Sequence, residues 1–270
     1  MVAYFKKQTW LFMLGGFALS MVIAAIGWNT FVAKEPMFTK LAFVLMLALL
    51  GVVLGRIQAA KWANKRLEKL SGRLYRDCDP EGFLREFAPV AAAVARDNVV
   101  FADAQTKISY AHEAMGDFDR ALAALESVKP EDMKMHSLHA SAITLNQKTR
   151  VLLMKEDIPA AEASLKEMEA LEGQANQRAK MLGEQLHACN ELARNWLAFL
   201  KGEEVNTSYI QEEVELAKND MYRAEIELLL GRIRESQGDG EQAKALYDQA
   251  ARHGGALYAG EQARKRLAAL

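Results

Sequence analysis

The stretch "GDFDRALAALESVKP" at residues 116–130 decides the fold. A glycine and an acid close one helix, and an alanine-rich amphipathic helix follows. Nearly the same phrase returns as "GDGEQAKALYDQA" at 238–250, and more faintly as "EDIPAAEASLKEME" at 156–169. Recurrence at tens of residues is the signature of stacked helical hairpins. Each pair leaves an apolar edge that the next pair covers, so a phrase recurs where a packing problem recurs.

Composition agrees with an all-helical chain. The sequence has five prolines in 270 residues and long Ala/Leu/Glu/Lys-rich stretches. Its net charge of −1 conceals an asymmetry: residues 1–76 hold 11 Lys or Arg against 2 acids, and the remainder holds 23 against 33. A basic quarter joined to an acidic body needs a physical cause, and the acidic body disfavours a nucleic-acid partner. Cys78 and Cys189 are far apart, so they suit small core residues rather than a disulfide framework or a metal motif.

Two apolar runs supply the cause. "TWLFMLGGFALSMVIAAIGW" at 9–28 carries no charge, and Trp10 and Trp28 stand where tryptophan prefers the two membrane interfaces. "LAFVLMLALLGVVLG" at 41–55 is shorter, but Met37 and Phe38 extend it while Lys40 and Arg56 can snorkel, giving a second span of about 38–56. The first run is longer than the apolar region of a cleaved signal, and Trp28 suits a cleavage site poorly. Lys6 and Lys7 precede the first run, and Arg56, Lys61, Lys65, Arg66, Lys69, Arg73 and Arg76 follow the second. Basic residues mark the cytoplasmic side, so the expectation is a multi-pass protein of the cell membrane. Both termini would be cytoplasmic, residues 29–39 would form an outer turn, and the basic helix would lie near anionic lipid. Gly16, Ser20 and Ala24 repeat every four residues, and Gly51 and Gly55 form a GxxxG at matching depth. Small residues let membrane helices approach closely, which predicts a packed transmembrane hairpin.

Beyond the second run, Ala60, Ala63, Leu67, Leu70 and Leu74 continue one helical apolar face as far as "RDCDPEGF". Asp79 can cap the next helix with Pro80 in its first turn, and Pro89 is placed to kink it. Helix pairs are then expected at 99–115 with 118–129, 137–155 with 158–171, 175–200 with 206–218, and 221–236 with 240–252. A last helix, 256–269, would be an exposed cap carrying Arg264, Lys265 and Arg266. The organisation expected is a transmembrane hairpin over 1–58, a basic juxtamembrane helix and first helical pair over 59–98, and helical repeats over 99–270.

The stretch 224–250 resembles the tetratricopeptide repeat family. Leu230-Gly231 matches its Leu-Gly pair, Gly238-Asp239 its inter-helix turn, and Ala243, Tyr247 and Ala250 its small, aromatic and small positions. Gly116-Asp117-Phe118, Ala121 and Leu125 repeat the match, Ala161 keeps part of it with Glu156 in place of glycine, and Gly202 keeps the turn alone. The turns at 116, 156, 202 and 238 are 40, 46 and 36 residues apart. That spacing exceeds the family's period of about 34, so the broader expectation is a TPR-like α-solenoid.

The resemblance implies a protein that binds other proteins or peptides on the inner side of its stack, at Tyr110, Asn146, Arg150, Trp196 and Arg232. The lysine–asparagine carboxylate clamp of some family members is not reproduced, since Thr106, Tyr110, Asn146 and Arg150 occupy its places. An aromatic and arginine mix suits a short helix or extended segment, with arginine forking onto a carboxylate. Charge reversal at Arg150 and Arg232 is then expected to remove partners and leave the thermal midpoint unchanged.

Motifs for chemistry are missing. His112-Glu113 lacks the second histidine of HExxH, His136 and His139 lack a third ligand, and neither a phosphate-binding loop nor a nucleophile elbow occurs. No catalytic, cofactor-binding or metal-binding residue is assigned. The reading is a membrane-anchored scaffold or adaptor rather than an enzyme. The alternative is an assembly factor of a membrane complex whose hairpin makes the main contacts.

Overall fold

The computed structural model describes residues 6–30, 34 and 36–270 and divides into two units, 1–70 and 71–270. Among the described residues it is helical throughout, with no strand. Residues 31–33 and 35 of the expected outer turn lie outside the described residues, as do the side chains of Lys6 and Lys7.

The first unit holds α1 (Lys6–Thr30) and most of α2 (Met37–Tyr75). Both are long and apolar enough to cross a membrane, with mean hydropathy 2.0 over Thr9–Trp28 and 2.4 for the best window of α2. Their large side chains point outward, among them Leu11, Leu19, Phe38 and Leu49. The small residues point inward. Ser20, Ala24, Gly51 and Gly55 are buried. A Cβ added at Gly16 would collide with the carbonyl of Gly51, and one at Gly55 would lie 2.8 Å from Cα of Met13. One at Gly51 would lie 2.7 Å from Cβ of Ser20. Farther along, Gly27 meets the ring of Phe43, a pair the sequence reading did not single out. The order of these contacts makes the two helices antiparallel.

The helix that begins in the second apolar run continues unbroken to Tyr75. Ala63, Leu70 and Leu74 are buried on it, but Ala60 is exposed and Ala59 takes the inward place. This corrects the expected face by one residue at its start. Arg73 pairs with Glu86 and Arg76 with Asp77, so these two basic residues have counter-charges within the protein.

The second unit continues with α3 (Pro80–Ala92), α4 (Val99–Ala114), α5 (Phe118–Glu126), α6 (Ser137–Met154) and α7 (Ile158–Arg178). It ends with α8 (Lys180–Lys201), α9 (Thr207–Leu216), α10 (Asp220–Ser236), α11 (Gly240–Gly254) and α12 (Tyr258–Leu267). Asp79, Asn98, Asp117, Asp157, Asn206, Asn219 and Asp239 each cap the helix that follows by accepting a hydrogen bond from a first-turn amide. Pro89 lies inside α3. A 3-10 segment, Pro130–His136, fills the connection after α5. The break between α7 and α8 falls at Ala179, several residues later than the periodicity suggests.

Turn chemistry explains the recurring phrase. Gly116, Gly202 and Gly238 have φ of 77°, 72° and 81°, the left-handed region where glycine has no Cβ penalty. Glu156 occupies the corresponding turn with φ 60°. The small and aromatic positions lie in the core: Ala121, Ala161, Ala243 and Ala250 are fully buried, and so is Tyr247. Gly231 makes room for that ring, since a Cβ there would stand 2.6 Å from Cε1 of Tyr247.

Neighbouring helices pack α4 on α5, α6 on α7 and α10 on α11, and the first helices of successive pairs also touch, α4 on α6 and α6 on α8. The last helix departs from expectation. Ala259, Gly260 and Ala263 are buried, α12 touches α4, and Tyr258 packs edge-on against Phe118 with ring centroids 5.1 Å apart. Arg264 and Lys265 are exposed, but Arg266 bonds Glu235 at 2.8 Å. The chain end therefore returns to the first expected repeat instead of standing apart as a cap.

Candidate functional site

Four first helices and the end of α2 converge on one cavity of about 320 Å³. Tyr75 comes from α2 and Tyr110 from α4. Helix α6 contributes Asn146, Thr149, Arg150 and Leu153; α8 contributes Cys189, Leu192, Ala193 and Trp196. Both sets have the three-and-four spacing of one helix face. Met221 and Tyr222 come from the first turn of α10, and Asn219, which caps it, accepts from the Tyr222 amide at 2.9 Å.

Arg150 dominates the electrostatics. Its guanidinium lies over the rings of Tyr110 and Tyr222, 5.1 and 5.4 Å from their centroids. Its Nε donates to Oε1 of Glu113 at 3.0 Å, and its Nη2 meets the carboxylate of Glu225. Both acids are almost wholly buried. Gln147, fully buried one turn away, donates its amide to the other oxygen of Glu113. Burial works against the charge on Arg150, but Glu113 and then the two phenols outweigh it and raise its pKa further. Arg150 thus bridges two carboxylates of the same chain, one from α4 and one from α10.

The tyrosines remain neutral phenols. Burial is the largest cause of the raised pKa of Tyr75, Tyr110 and Tyr222. Tyr222 also donates its hydroxyl to Glu213 at 2.7 Å, which holds its proton more firmly. Tyr75 and Tyr110 meet edge to face, with centroids 6.2 Å apart. Trp196 is buried, and its indole N–H has no hydrogen-bond partner within the protein. An unpaired buried donor carries a desolvation penalty of about 1–3 kcal/mol.

Of the five residues placed on the inner face from sequence, Tyr110, Asn146, Arg150 and Trp196 line this cavity. Arg232 does not. It lies over Phe199 at 5.1 Å, pairs with Glu156 at 2.7 Å, and borders a smaller space shared with Trp196, Glu225 and Tyr258. Sequence reasoning missed Tyr75, Glu113, Glu225, Asn219 and Tyr222. The two acids carried a legible signal: each stands on a helix face whose neighbours three and four residues away include core positions, such as Leu228 and Leu229 beside Glu225.

The expectation for Arg150 needs correction. Its fork is taken up by Glu113 and Glu225 of the same chain, and with 14% of its side chain exposed it belongs to the interior. Replacing it by glutamate would gather three buried carboxylates, so charge reversal there cannot leave the thermal midpoint unchanged.

A larger space of about 560 Å³ lies along α5, α6 and α7, lined by Leu122, Leu145, Leu152 and Ala163. Its lining carries Glu126, Lys148 and Glu167 but no aromatic residue, unlike the cavity around Arg150. Among the described residues, no group of three or more His, Cys, Asp or Glu side chains is arranged to hold a metal ion. Comparison with protein-family models, curated proteins and solved structures found no match to this chain.

Proposed function

We propose that this protein is a membrane-anchored, TPR-like scaffold that captures a protein or peptide partner at the cavity around Arg150. In this reading α1 and α2 cross the membrane as a hairpin, with the Gly16–Gly51–Gly55 approach as its packing seam. Outward-facing Leu, Ile, Val and Phe are at home in lipid, whereas water-exposed apolar patches of that extent are untenable. The basic residues from Arg56 onward favour the cytoplasmic side and anionic head groups, which directs both termini inward. The repeats then form a TPR-like α-solenoid whose inner face is drawn together where α12 returns to α4.

One observation carries the partner-binding reading: four of five residues selected from the repeat register alone line a single cavity rich in aromatic and amide groups. Such a mixture is typical of surfaces that recognise peptide segments. The test is site-specific photocrosslinking of the full chain in native membranes, with the probe at Asn146 or at the outward-facing Leu49. Adducts from position 146 are expected. Adducts only from position 49 would favour an assembly factor that works through its membrane helices, and would overturn the scaffold reading. A reporter that fluoresces only in cytoplasm, fused after Leu270, is expected to be active; activity of an extracytoplasmic reporter there would overturn the topology.

A further inference from the structure

We propose that the cavity around Arg150 takes an uncharged apolar side chain, of leucine to phenylalanine size, presented by a peptide segment of the partner. This rests on the partner-binding reading above and names the chemistry of the residue captured. Among the described residues, Arg150 is the one ionised group on the cavity wall. Its guanidinium is held by Glu113 and Glu225, which stand outside the lining, and it lies over the rings of Tyr110 and Tyr222. A carboxylate entering here would find its counter-charge already taken. A lysine or arginine would meet a like charge that already covers those two rings. Either would surrender its hydration without a free partner, and burying an unpaired charge is strongly unfavourable.

The rest of the wall is uncharged. Burial raises the pKa of the Cys189 thiol as it does those of the three tyrosines, so these groups keep their protons at neutral pH. Leu153, Leu192, Ala193 and Met221 supply aliphatic surface. Methionine adapts its shape to a branched or a planar guest, and a buried cysteine behaves as a small hydrophobe. Size agrees. About 150 Å³ is enough to hold benzene. This cavity offers about 320 Å³, room for one large apolar side chain and the backbone beside it. That backbone has partners as well, since Asn146 and Asn219 border the cavity and are half-buried. Among the described residues the Asn146 side chain makes no hydrogen bond, and Asn219 uses only its oxygen, on the Tyr222 amide. Both NH₂ groups can donate to peptide carbonyls, and the Asn146 oxygen can accept from a peptide N–H. A free hydrocarbon or a lipid tail would leave both amides unanswered.

The test uses the full chain in lipid nanodiscs and five capped peptides, Ser-Gly-X-Gly-Ser with X as Phe, Leu, Gly, Lys or Glu. Binding is followed through the methyl resonance of Met221, assigned with Met221→Leu. The Phe and Leu peptides are expected to shift that resonance and to bind at least about tenfold more tightly than the Gly peptide, the scale of burying one large apolar side chain. The Lys and Glu peptides are expected to bind no better than the Gly peptide. Ala193→Leu fills the cavity and is expected to abolish binding of the Phe and Leu peptides. Cys189→Leu is the second filling variant, read in its place if Ala193→Leu does not fold. A Lys or Glu peptide that binds as tightly as the Phe and Leu peptides would overturn the preference. So would undiminished binding of the Phe and Leu peptides by a folded filling variant, or the failure of both to move the resonance. Those failures are separate from failure of the partner-binding reading, which is judged by crosslinking from position 146.

Discussion

Arg150→Met removes the one positive charge that serves two buried carboxylates. Glu113 and Glu225 are each less than 4% exposed, and Arg150 itself is largely shielded, so solvent cannot take over its role. Deleting one partner of a buried ion pair costs about 3–5 kcal/mol, because the remaining charge is left uncompensated. The helical unit spans 200 residues, a size at which each kcal/mol moves the thermal midpoint by roughly 2–4 °C. The expected fall is therefore about 6–20 °C, measured by far-ultraviolet circular dichroism on the full chain in detergent. Arg150→Lys should fall between the parent and Arg150→Met, since a single ammonium cannot fork onto two carboxylates in the geometry of a guanidinium. The triple variant Arg150→Met, Glu113→Gln, Glu225→Gln should recover most of the loss, because neutral amides need no counter-charge. A fall of less than about 1 kcal/mol for Arg150→Met, the value of a surface pair, would refute the reasoning. A triple variant no more stable than the single one would refute it equally.

Two further predictions concern glycine and its substitute. Gly15 has nothing within 4 Å of an added Cβ, whereas Gly16 faces the backbone of Gly51 and Gly55. In a background with Cys78 and Cys189 changed to serine, cysteines at positions 27 and 43 should crosslink efficiently; Gly15→Ala should preserve this and Gly16→Ala should reduce it. Equal crosslinking in the two variants would remove the packing seam. At the other site, Glu156 holds φ 60° and an ion pair to Arg232 while itself 53% exposed. A left-handed non-glycine residue costs about 1–2 kcal/mol, glycine returns about 0.4–1 kcal/mol of that through unfolded-chain entropy, and an exposed pair is worth about 0–1 kcal/mol. Glu156→Gly should thus be at least as stable as Glu156→Gln in thermal unfolding, and a glycine variant clearly less stable than the glutamine variant would contradict the strain.

Much of the architecture was written locally. Helix starts are fixed by side chains within three residues of the amides they cap, so Asp79, Asp117, Asp157 and Asp239 mark their boundaries in the sequence itself. The apolar runs at 9–28 and 41–55 declare their length and hydropathy residue by residue, and the small residues at 16, 20, 24, 51 and 55 declare a spacing. The repeat register even placed Tyr110, Asn146, Arg150 and Trp196 on one side, because a helix face is a matter of counting.

What counting cannot reach is how far that face closes and what its charges meet. Arg150 looks available in sequence because Glu113 and Glu225 lie 37 and 75 residues away. Only the packing of α4, α6 and α10 brings all three within bonding distance. Helices α5 and α12 likewise meet through Phe118 and Tyr258, 140 residues apart, which no local pattern encodes. Local propensities and periods are properties of neighbouring residues and survive in a linear string. Which charges meet in a protein interior depends on groups that only folding brings together.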